Sequence, residues 1–232
     1  MTYLQFHLTF TVPAWLAALL WARPRGGEVG PYLALPLVAL VYTTPWDNWM
    51  VRLGVWGYAA DRVVGTLGWV PVEEYLFFLL QPLLTGALAV RWARSPAVPG
   101  PVWARVVGGA MGMCLSASGV LMVAAGGRTL YLGLLLGYFG PVLAFQWAVG
   151  GEVLWARRRT LGASVAVPTV YLSAADLWAV TREGIWWISQ ETTVGARVAG
   201  LPVEEVLFFA VTNLAVVQGL LLALDPAWRR RR

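Results

Sequence analysis

Two neighbouring glutamates follow a Pro-Val pair at two places in the chain, and these are the residues best suited to do chemistry. The octapeptide at residues 71–78 returns at residues 202–209 with a change at one position. In each copy the two carboxylates stand at the head of an apolar run long enough to cross a bilayer, where charge is costly and indicates a function. The four carboxylates are Glu73, Glu74, Glu204 and Glu205.

The flanks of the octapeptide repeat as well. Upstream of each copy, the pattern Tyr-x-x-x-x-Asp-x-Trp keeps the same internal spacing, and a further tryptophan follows it. The first copy has Tyr42, Asp47, Trp49 and Trp56, and the second has Tyr171, Asp176, Trp178 and Trp186. Roughly residues 32–92 and 163–224 therefore form one unit that is used twice.

Six carboxylates come together if the two units meet, because Asp47 and Asp176 add to the four glutamates. In a low-dielectric cavity they cannot all be ionised, so neutral acids stand beside ionised bases at neutral pH. Such a cluster can donate a proton at one atom and remove one from another. The alternative is an ordinary helix start, where proline suits the first turn and carboxylates meet the positive end of the helix dipole. Two copies, each with an upstream aspartate, favour catalysis, with one glutamate of each pair facing inward.

Aromatic side chains border these acids. The sequence has 14 Trp, 8 Tyr and 8 Phe, and a tryptophan face stabilises a cation by about 0.5–2 kcal/mol. Most of the tryptophans are expected in the interfacial belt of a membrane protein. Acids, bases and aromatic walls together indicate proton-initiated chemistry on an apolar polyene, with no cofactor. The candidate substrate-binding residues are those that share the repeat, namely Trp49, Trp56, Trp178, Trp186, Tyr42 and Tyr171.

Composition places most of the chain in lipid. Of its 232 residues, 59% are hydrophobic and 12% are charged, which leaves too little polar surface for a soluble domain of this size. All 17 basic residues are arginine, so a retinal Schiff base, which needs lysine, is excluded.

One cysteine, Cys114, and one histidine, His7, exclude an intramolecular disulfide and a Cys/His metal site. We expect His7 to be a packed or interfacial side chain and not a ligand. We assign the net charge of +5 to arginines at the membrane surface and not to nucleic acid.

The predicted fold class is an all-α integral membrane protein with seven transmembrane helices. Apolar segments of about 20 residues, the length that spans a bilayer, fall near residues 3–22, 31–46, 73–91, 102–124, 130–148, 163–181 and 204–224. The internal repeat predicts two parallel three-helix units joined by a connecting helix. The corresponding parts of the chain are residues 1–95, 96–128 and 129–232.

The distribution of arginines predicts the orientation in the cell membrane. Twelve arginines, including Arg157 to Arg159 and Arg229 to Arg232, fall on one side of the predicted spans, and five fall on the other. The excess places the C-terminus in the cytoplasm and the N-terminus outside. Both glutamate pairs and both aspartates then lie on the non-cytoplasmic side. The connections at residues 47–72 and 182–203 are rich in Gly and Trp, and we expect partly helical segments folded over the mouth of the bundle.

The doubled Pro-Val-Glu-Glu-x-Leu-Phe-Phe with its upstream Asp and Trp resembles the integral-membrane lycopene cyclases. These occur as two small subunits in some bacteria, as one fused chain in others, and as the cyclase half of fungal bifunctional enzymes. The resemblance covers roughly residues 30–92 and 130–224, and it implies the fused form without a phytoene synthase half. It also implies cofactor-independent cyclisation of the ψ-ends of lycopene to β-rings, giving γ-carotene and β-carotene through a carbocation.

The resemblance further implies an active site between the two units, with the motif glutamates as catalytic carboxylates and Asp47 and Asp176 as supporting acids. The second copy has Val206 where the first has Tyr75, so the units need not contribute equally. A carotenoid hydratase, a cyclase of longer C50 carotenoids and a small transporter with proton or cation sites are alternatives. The expected partners are lycopene or a related carotenoid and membrane lipid, with no nucleic acid, and a homo-oligomer is left open.

Overall fold

The computed structural model describes residues 1–95 and 100–225, and these ranges are mostly helical. Arg229 to Arg232, which the orientation prediction assigns to the cytoplasmic side, lie outside the described residues. The helices are α1 (Tyr3–Phe6), a π-helical turn (His7–Thr11), α2 (Val12–Ala22), α3 (Val29–Arg52), α4 (Val72–Ala93), α5 (Trp103–Ala125), α6 (Leu130–Ala156), α7 (Arg158–Trp178), a second π-helical turn (Ala179–Glu183) and α8 (Val203–Leu224). Single 3-10 turns at Gly26–Glu28 and Gly127–Thr129 precede α3 and α6.

Six segments in the described part of the chain are long and apolar enough to cross a membrane. They are Tyr3–Ala22, Val72–Ala93, Trp103–Ala125, Gly127–Ala156, Arg158–Glu183 and Val203–Leu224. The helix α3, which contains the span predicted at residues 31–46, is 24 residues long but is not in this set. It contains Pro36 and Pro45 and ends in a polar turn. The structure is thus compatible with a multi-pass membrane protein of six to seven spanning helices.

Short strands correct the all-α prediction. The strands are β1 (Trp56–Tyr58), β2 (Thr66–Leu67), β3 (Val70–Pro71), β4 (Trp186–Ile188), β5 (Arg197–Val198) and β6 (Leu201–Pro202). The connections that were expected to be partly helical hold three antiparallel two-stranded ladders, β1 with β4, β2 with β3 and β5 with β6. Glycines in the left-handed region start both connections, at Gly54 (φ 69°) and Gly184 (φ 59°). That conformation ends the preceding helix and turns the chain back over the bundle.

The pairing of β1 with β4 joins the two long connections across the middle of the molecule. Gly57 lies opposite Trp187, with Trp56 opposite Ile188 on one side and Tyr58 opposite Trp186 on the other. Glycine is required here, because a Cβ at position 57 would lie 2.5 Å from the indole ring of Trp187. The ladder therefore closes one end of the bundle, next to the starts of α4 and α8.

The helices α4 and α8 form the centre of the bundle, and a buried polar cluster fixes their contact. Asn213 on α8 accepts hydrogen bonds from the amide of Gln81 and, at 2.6 Å, from the hydroxyl of Thr85, both on α4. Its own amide donates to Thr169 on α7 at 3.1 Å. Four polar side chains therefore satisfy one another at a depth where unpaired polar groups are costly.

The helix α5 packs closely along α6 through small residues. A Cβ at Gly119 would lie 2.2 Å from the backbone nitrogen of Gly137, and one at Gly112 would lie 2.5 Å from that of Ala144. Only glycine permits so close an approach of two helix backbones, as is common between transmembrane helices. The opposite face of α5 is exposed, with Val106 and Leu121 among its side chains, as a lipid-facing helix requires.

Candidate active site

The second glutamate of each pair lies inside the protein. Glu74 and Glu205 stand in the first turns of α4 and α8 and line one cavity of about 50 Å³ beneath the β1–β4 ladder. Asp176, from the end of α7, lies in the same wall. All three side chains are buried. Two of the repeated glutamates and one repeated aspartate thus meet at a single site between the two copies of the motif.

The first glutamate of each pair has a different environment. An oxygen of Glu73 accepts a hydrogen bond of 2.8 Å from the backbone N–H of Val64, and an oxygen of Glu204 accepts one of 2.6 Å from that of Val194. Adjacent residues on a helix point about 100° apart, so one carboxylate faces the cavity while its neighbour holds the connection above it. Neither Glu73 nor Glu204 is part of the cavity wall.

Two phenols contact Glu74. The hydroxyls of Tyr3 and Tyr58 both donate hydrogen bonds to its Oε2, the second at 3.0 Å. Tyr3 belongs to α1, so the start of the first spanning segment closes this side of the site. Asp176 accepts a hydrogen bond of 2.7 Å from the indole of Trp186. Glu74 and Asp176 are therefore held in place by aromatic donors.

The side of the cavity around Glu205 is lined by Tyr131, Trp56 and Phe208. Asp47 is buried in the last turns of α3, within the range of electrostatic interaction with both Glu74 and Glu205. It does not line the cavity itself. Four of the six predicted carboxylates, Glu74, Glu205, Asp176 and Asp47, thus form one buried group.

The predicted aromatic residues divide between the site and the surface. Trp56 and Trp186 line the cavity. Trp49 and Trp178 are each 47% exposed and stand outside the cavity wall, as tryptophans of an interfacial belt do. Trp46 is buried and stacks on Phe208, with ring centroids 5.7 Å apart and an angle of 10° between the planes.

The two repeated tyrosines tie helices together. The hydroxyl of Tyr42 donates to the carbonyl of Tyr138 at 2.7 Å, and that of Tyr171 donates to the carbonyl of Phe10 at 2.9 Å. Tyr42 also lines a second cavity, whereas Tyr171 is not part of the first cavity wall. His7 is buried and packed, with its ring nitrogens bonded to Thr11 and to the carbonyl of Glu73.

The second cavity is much larger, about 890 Å³, and lies between α3, α4, α6 and α8. Its wall is mainly apolar and includes small residues of α3 and α8. Phe77 and Phe208 line both cavities. The carboxylate site therefore adjoins a long apolar space across two aromatic rings. Such a site can transfer protons to and from an apolar substrate while aromatic walls keep water away.

Tyr3, Tyr58 and Tyr131 are site residues that the sequence analysis missed. A sequence signal for two of them was available, because Tyr3 and Tyr131 are each followed by leucine and, ten residues later, by a proline. Extending the internal repeat upstream to this pattern would have placed both tyrosines at equivalent positions. Tyr58 has no such signal, since the second copy has Ile188 where symmetry would put it.

A sequence model of the lycopene cyclase family matches residues 1–92 and 128–220. The chain is 45% identical over 202 residues to a protein of Halobacterium salinarum named lycopene beta-cyclase, covering 86% of this chain and 83% of that protein. It is 32% identical to a bifunctional lycopene cyclase/phytoene synthase of Arthroderma gypseum, covering 94% of this chain and 40% of that protein. The corresponding protein of Blakeslea trispora is 34% identical, with 94% and 38% covered. No solved structure matches the chain significantly.

Proposed function

Because this chain belongs to the lycopene cyclase family, we propose that it is a lycopene β-cyclase whose active site is the cavity around Glu74 and Glu205. An acid protonates the terminal C1=C2 bond of a ψ-end, and the C5=C6 bond attacks the resulting cation to close the ring. A base then removes a neighbouring proton, which leaves a β-ring and restores the proton balance. Substrate and product are isomers, so the reaction needs no oxidant or reductant.

The observation that carries this proposal is the meeting of Glu74, Glu205 and Asp176 in one cavity with a mainly aromatic wall. Cyclisation needs a proton donor and a proton acceptor on the same small volume of hydrocarbon, and carboxyl groups supply both. The faces of Trp56 and Trp186 stabilise the cation that forms between the two proton transfers. Asp47 is a supporting acid that acts through its electrostatic interaction with the two glutamates.

We assign Glu73 and Glu204 to the support of the site and not to proton transfer. Each of them holds the backbone of the connection above the cavity, and an oxygen already engaged there is directed away from the substrate. Trp49 and Trp178 contact the membrane interface in this proposal. Tyr42 and Tyr171 fix helix contacts.

The proposal includes two parallel units, residues 1–95 and 129–232, with α5 as the connector between them. Equivalent contacts support it. Tyr42 of the first unit donates a hydrogen bond to the carbonyl of Tyr138 in the second unit, and Tyr171 of the second unit donates one to the carbonyl of Phe10 in the first. Each unit is thus bonded to the first helical segment of the other. The ladder of β1 with β4 supports it as well, because its register is symmetric about the pair of Gly57 and Trp187. The proposal also includes the orientation that the arginine excess favours, with the cavity at the non-cytoplasmic side of the cell membrane.

The test is expression of this chain in cells that accumulate lycopene, followed by chromatography of the extracted pigments with mass detection. We expect a cyclised product of unchanged mass that elutes as γ-carotene or β-carotene. A double variant with Glu74→Gln and Glu205→Gln is the control, and it should reach the membrane and leave lycopene unchanged. Unchanged lycopene with the correctly inserted parent protein would overturn the proposal. So would a product heavier by one or two molecules of water, which would identify a hydratase.

A further inference from the structure

The larger cavity is a groove that runs along the bundle. Its α3 wall extends from Gly30 to Thr43 and its α8 wall from Phe208 to Ala223. At 1.5 Å per helical residue each wall is about 20 Å long. The lining residues of α3 recur at intervals of three and four, so they form one face of the helix. A space this long and narrow fits a linear molecule better than a compact one.

The groove offers little hydrogen bonding to a ligand. Tyr42 turns its hydroxyl to the carbonyl of Tyr138, and Gln146 turns its amide hydrogens to the carbonyl of Ala215 at 2.9 Å. Thr212 donates to the carbonyl of Phe208 in its own helix at 2.7 Å. The donors of these three side chains are therefore directed at the protein, and the Gln146 Oε1 atom is a polar atom of the wall without a hydrogen-bond partner among the described residues. The chemistry of the wall therefore favours an apolar ligand.

The groove is open on its side. Val38 on α3 and Phe145 on α6 line it, yet each is 64% exposed. Side chains that belong to the wall and to the outer surface at once mark an opening between these two helices. In a membrane that opening faces the acyl chains, where a carotenoid dissolves.

The inner end of the groove meets the carboxylates. Phe77 and Phe208 line both cavities, and each stands three residues after the inward glutamate of its helix, Glu74 or Glu205. Residues three apart lie on the same helix face. A chain end that passes these two rings therefore arrives at the acids, while the rest of the molecule stays in the groove.

We infer that the groove between α3, α6 and α8 holds the polyene lengthwise, with one end at Glu74 and Glu205, so that the two ends react in separate binding events. The inference rests on the proposed function and adds the place and direction in which the substrate lies. After one ring has closed, the product leaves sideways into the bilayer and binds again in the opposite direction. Monocyclic carotenoid is then a released intermediate.

The first experiment blocks the groove with Ala39→Trp. Ala39 lines the groove, whereas Val41, on the same helix, lines neither cavity and is 76% exposed, so Val41→Trp is the matched control. With equal amounts of protein in the membrane, we expect Ala39→Trp to lower lycopene conversion by about tenfold or more and Val41→Trp to change it less than about twofold. Equal conversion by the two variants would overturn the inference.

A binding measurement separates loss of the groove from loss of the fold. In a background of Glu74→Gln and Glu205→Gln, which blocks turnover, lycopene that co-purifies with the protein is measured by its absorbance. We expect bound lycopene with Val41→Trp and little with Ala39→Trp or with Ala215→Phe, which fills the groove from its opposite wall. Undiminished lycopene in both groove variants would overturn the inference. If Ala39→Trp does not reach the membrane, Ala215→Phe and the smaller change Ala39→Leu decide the question.

A time course tests the separate binding events. In proteoliposomes with lycopene in large excess, we expect monocyclic product to accumulate before any bicyclic product forms. Bicyclic product from the first turnovers would show that both ends react in one binding event and would overturn this part. Failure of the parent protein to convert lycopene at all would instead reject the proposed function, so the two failures are distinguishable.

Discussion

The hydroxyl of Tyr58 donates a hydrogen bond of 3.0 Å to the carboxylate of Glu74, which joins the ladder over the bundle to the start of α4. Burial, followed by the neighbouring charge of Glu74, raises the pKa of Tyr58 well above its usual value. The phenol therefore stays protonated and keeps donating at neutral pH. In the second copy, the corresponding strand position is Ile188, so Glu205 has no equivalent donor from the ladder. The two halves of the site are chemically unequal.

Replacement of Tyr58 by phenylalanine should impair turnover without unfolding the protein. The variant keeps the ring but removes one of the two phenols that hold Glu74. A hydrogen bond to a charged group is worth about 1.5–3 kcal/mol, so a loss of roughly tenfold to a hundredfold in turnover is expected. The measurement is the initial rate of lycopene conversion in proteoliposomes. The control is Tyr75→Phe. The hydroxyl of Tyr75 donates to the carbonyl of Leu67 and lies outside the cavity wall. Equal rates for both variants would argue against a role of Tyr58 at the site.

The inward and outward glutamates should respond differently to the same change. Glu74→Gln and Glu205→Gln remove an acid or a base from the cavity, and loss of a general acid–base group costs about 10²–10⁴ in rate. Glu73→Gln and Glu204→Gln keep an oxygen that accepts the backbone hydrogen bond, so activity should stay within about threefold of the parent. The four single variants are compared by pigment analysis at equal protein levels. A similar loss in all four would contradict this division of roles.

Replacement of the outward glutamates by alanine should affect stability. Glu73→Ala removes the acceptor of the partly buried hydrogen bond from the backbone N–H of Val64, and the loss of such a bond costs about 0.5–1.5 kcal/mol. The free energy of unfolding in detergent micelles should fall by that amount, whereas Glu73→Gln should leave it nearly unchanged. A stability equal to that of the glutamine variant would show that the connection does not depend on this bond.

The sequence was sufficient to predict six long apolar helices and the doubled pair of glutamates, because both depend on local pattern. Six of the predicted spans coincide with long apolar helices. The two glutamates of a pair point in different directions because adjacent residues on a helix are about 100° apart, so the separation into inward and outward carboxylates also follows from local geometry. The repeat directed attention to Trp56 and Trp186, which line the cavity.

Other features depend on contacts between distant parts of the chain, and the sequence could not supply them. The ladder of β1 with β4 joins two strands whose first residues, Trp56 and Trp186, are 130 positions apart in the sequence. Neither strand is long enough to show a period-2 pattern. Tyr3 reaches Glu74 only because the first span packs against α4. The groove likewise exists only between helices, so no single segment shows it.

The polar cluster around Asn213 should be a determinant of stability. Asn213→Ala leaves the amide of Gln81 and the hydroxyls of Thr85 and Thr169 without the partner that they have now. Each buried polar group that loses its partner costs about 1–3 kcal/mol, so a decrease of a few kcal/mol in the free energy of unfolding is expected. Thermal unfolding in micelles measures it. The control is Val170→Ala, next to Thr169 but 70% exposed, and an equal effect of both changes would contradict the prediction.

The ion pair of Glu28 and Arg94 should stabilise the protein in a pH-dependent way. It joins the turn before α3 to the end of α4, with the Arg94 guanidinium 3.0 and 2.8 Å from the two carboxylate oxygens. The hydrogen bonds from Arg94 are the largest cause that lowers the pKa of Glu28. A carboxyl whose pKa is lower in the folded state contributes its stability above its ordinary pKa and loses it as the pH falls through the folded value.

Glu28→Gln should therefore lower the stability at about pH 7 by about 0.5–1 kcal/mol, since the pair is partly exposed. The difference between the variant and the parent should shrink towards zero in strong acid, once the pH has fallen through the lowered pKa of Glu28 and the parent carboxylate is protonated too. Thermal unfolding in micelles at both pH values measures this. Glu191→Gln, an exposed change in the connection after β4, is the control and should have no effect at either pH. A difference for Glu28→Gln that stays the same at both pH values would show that the side chain stabilises the turn by packing and not by charge.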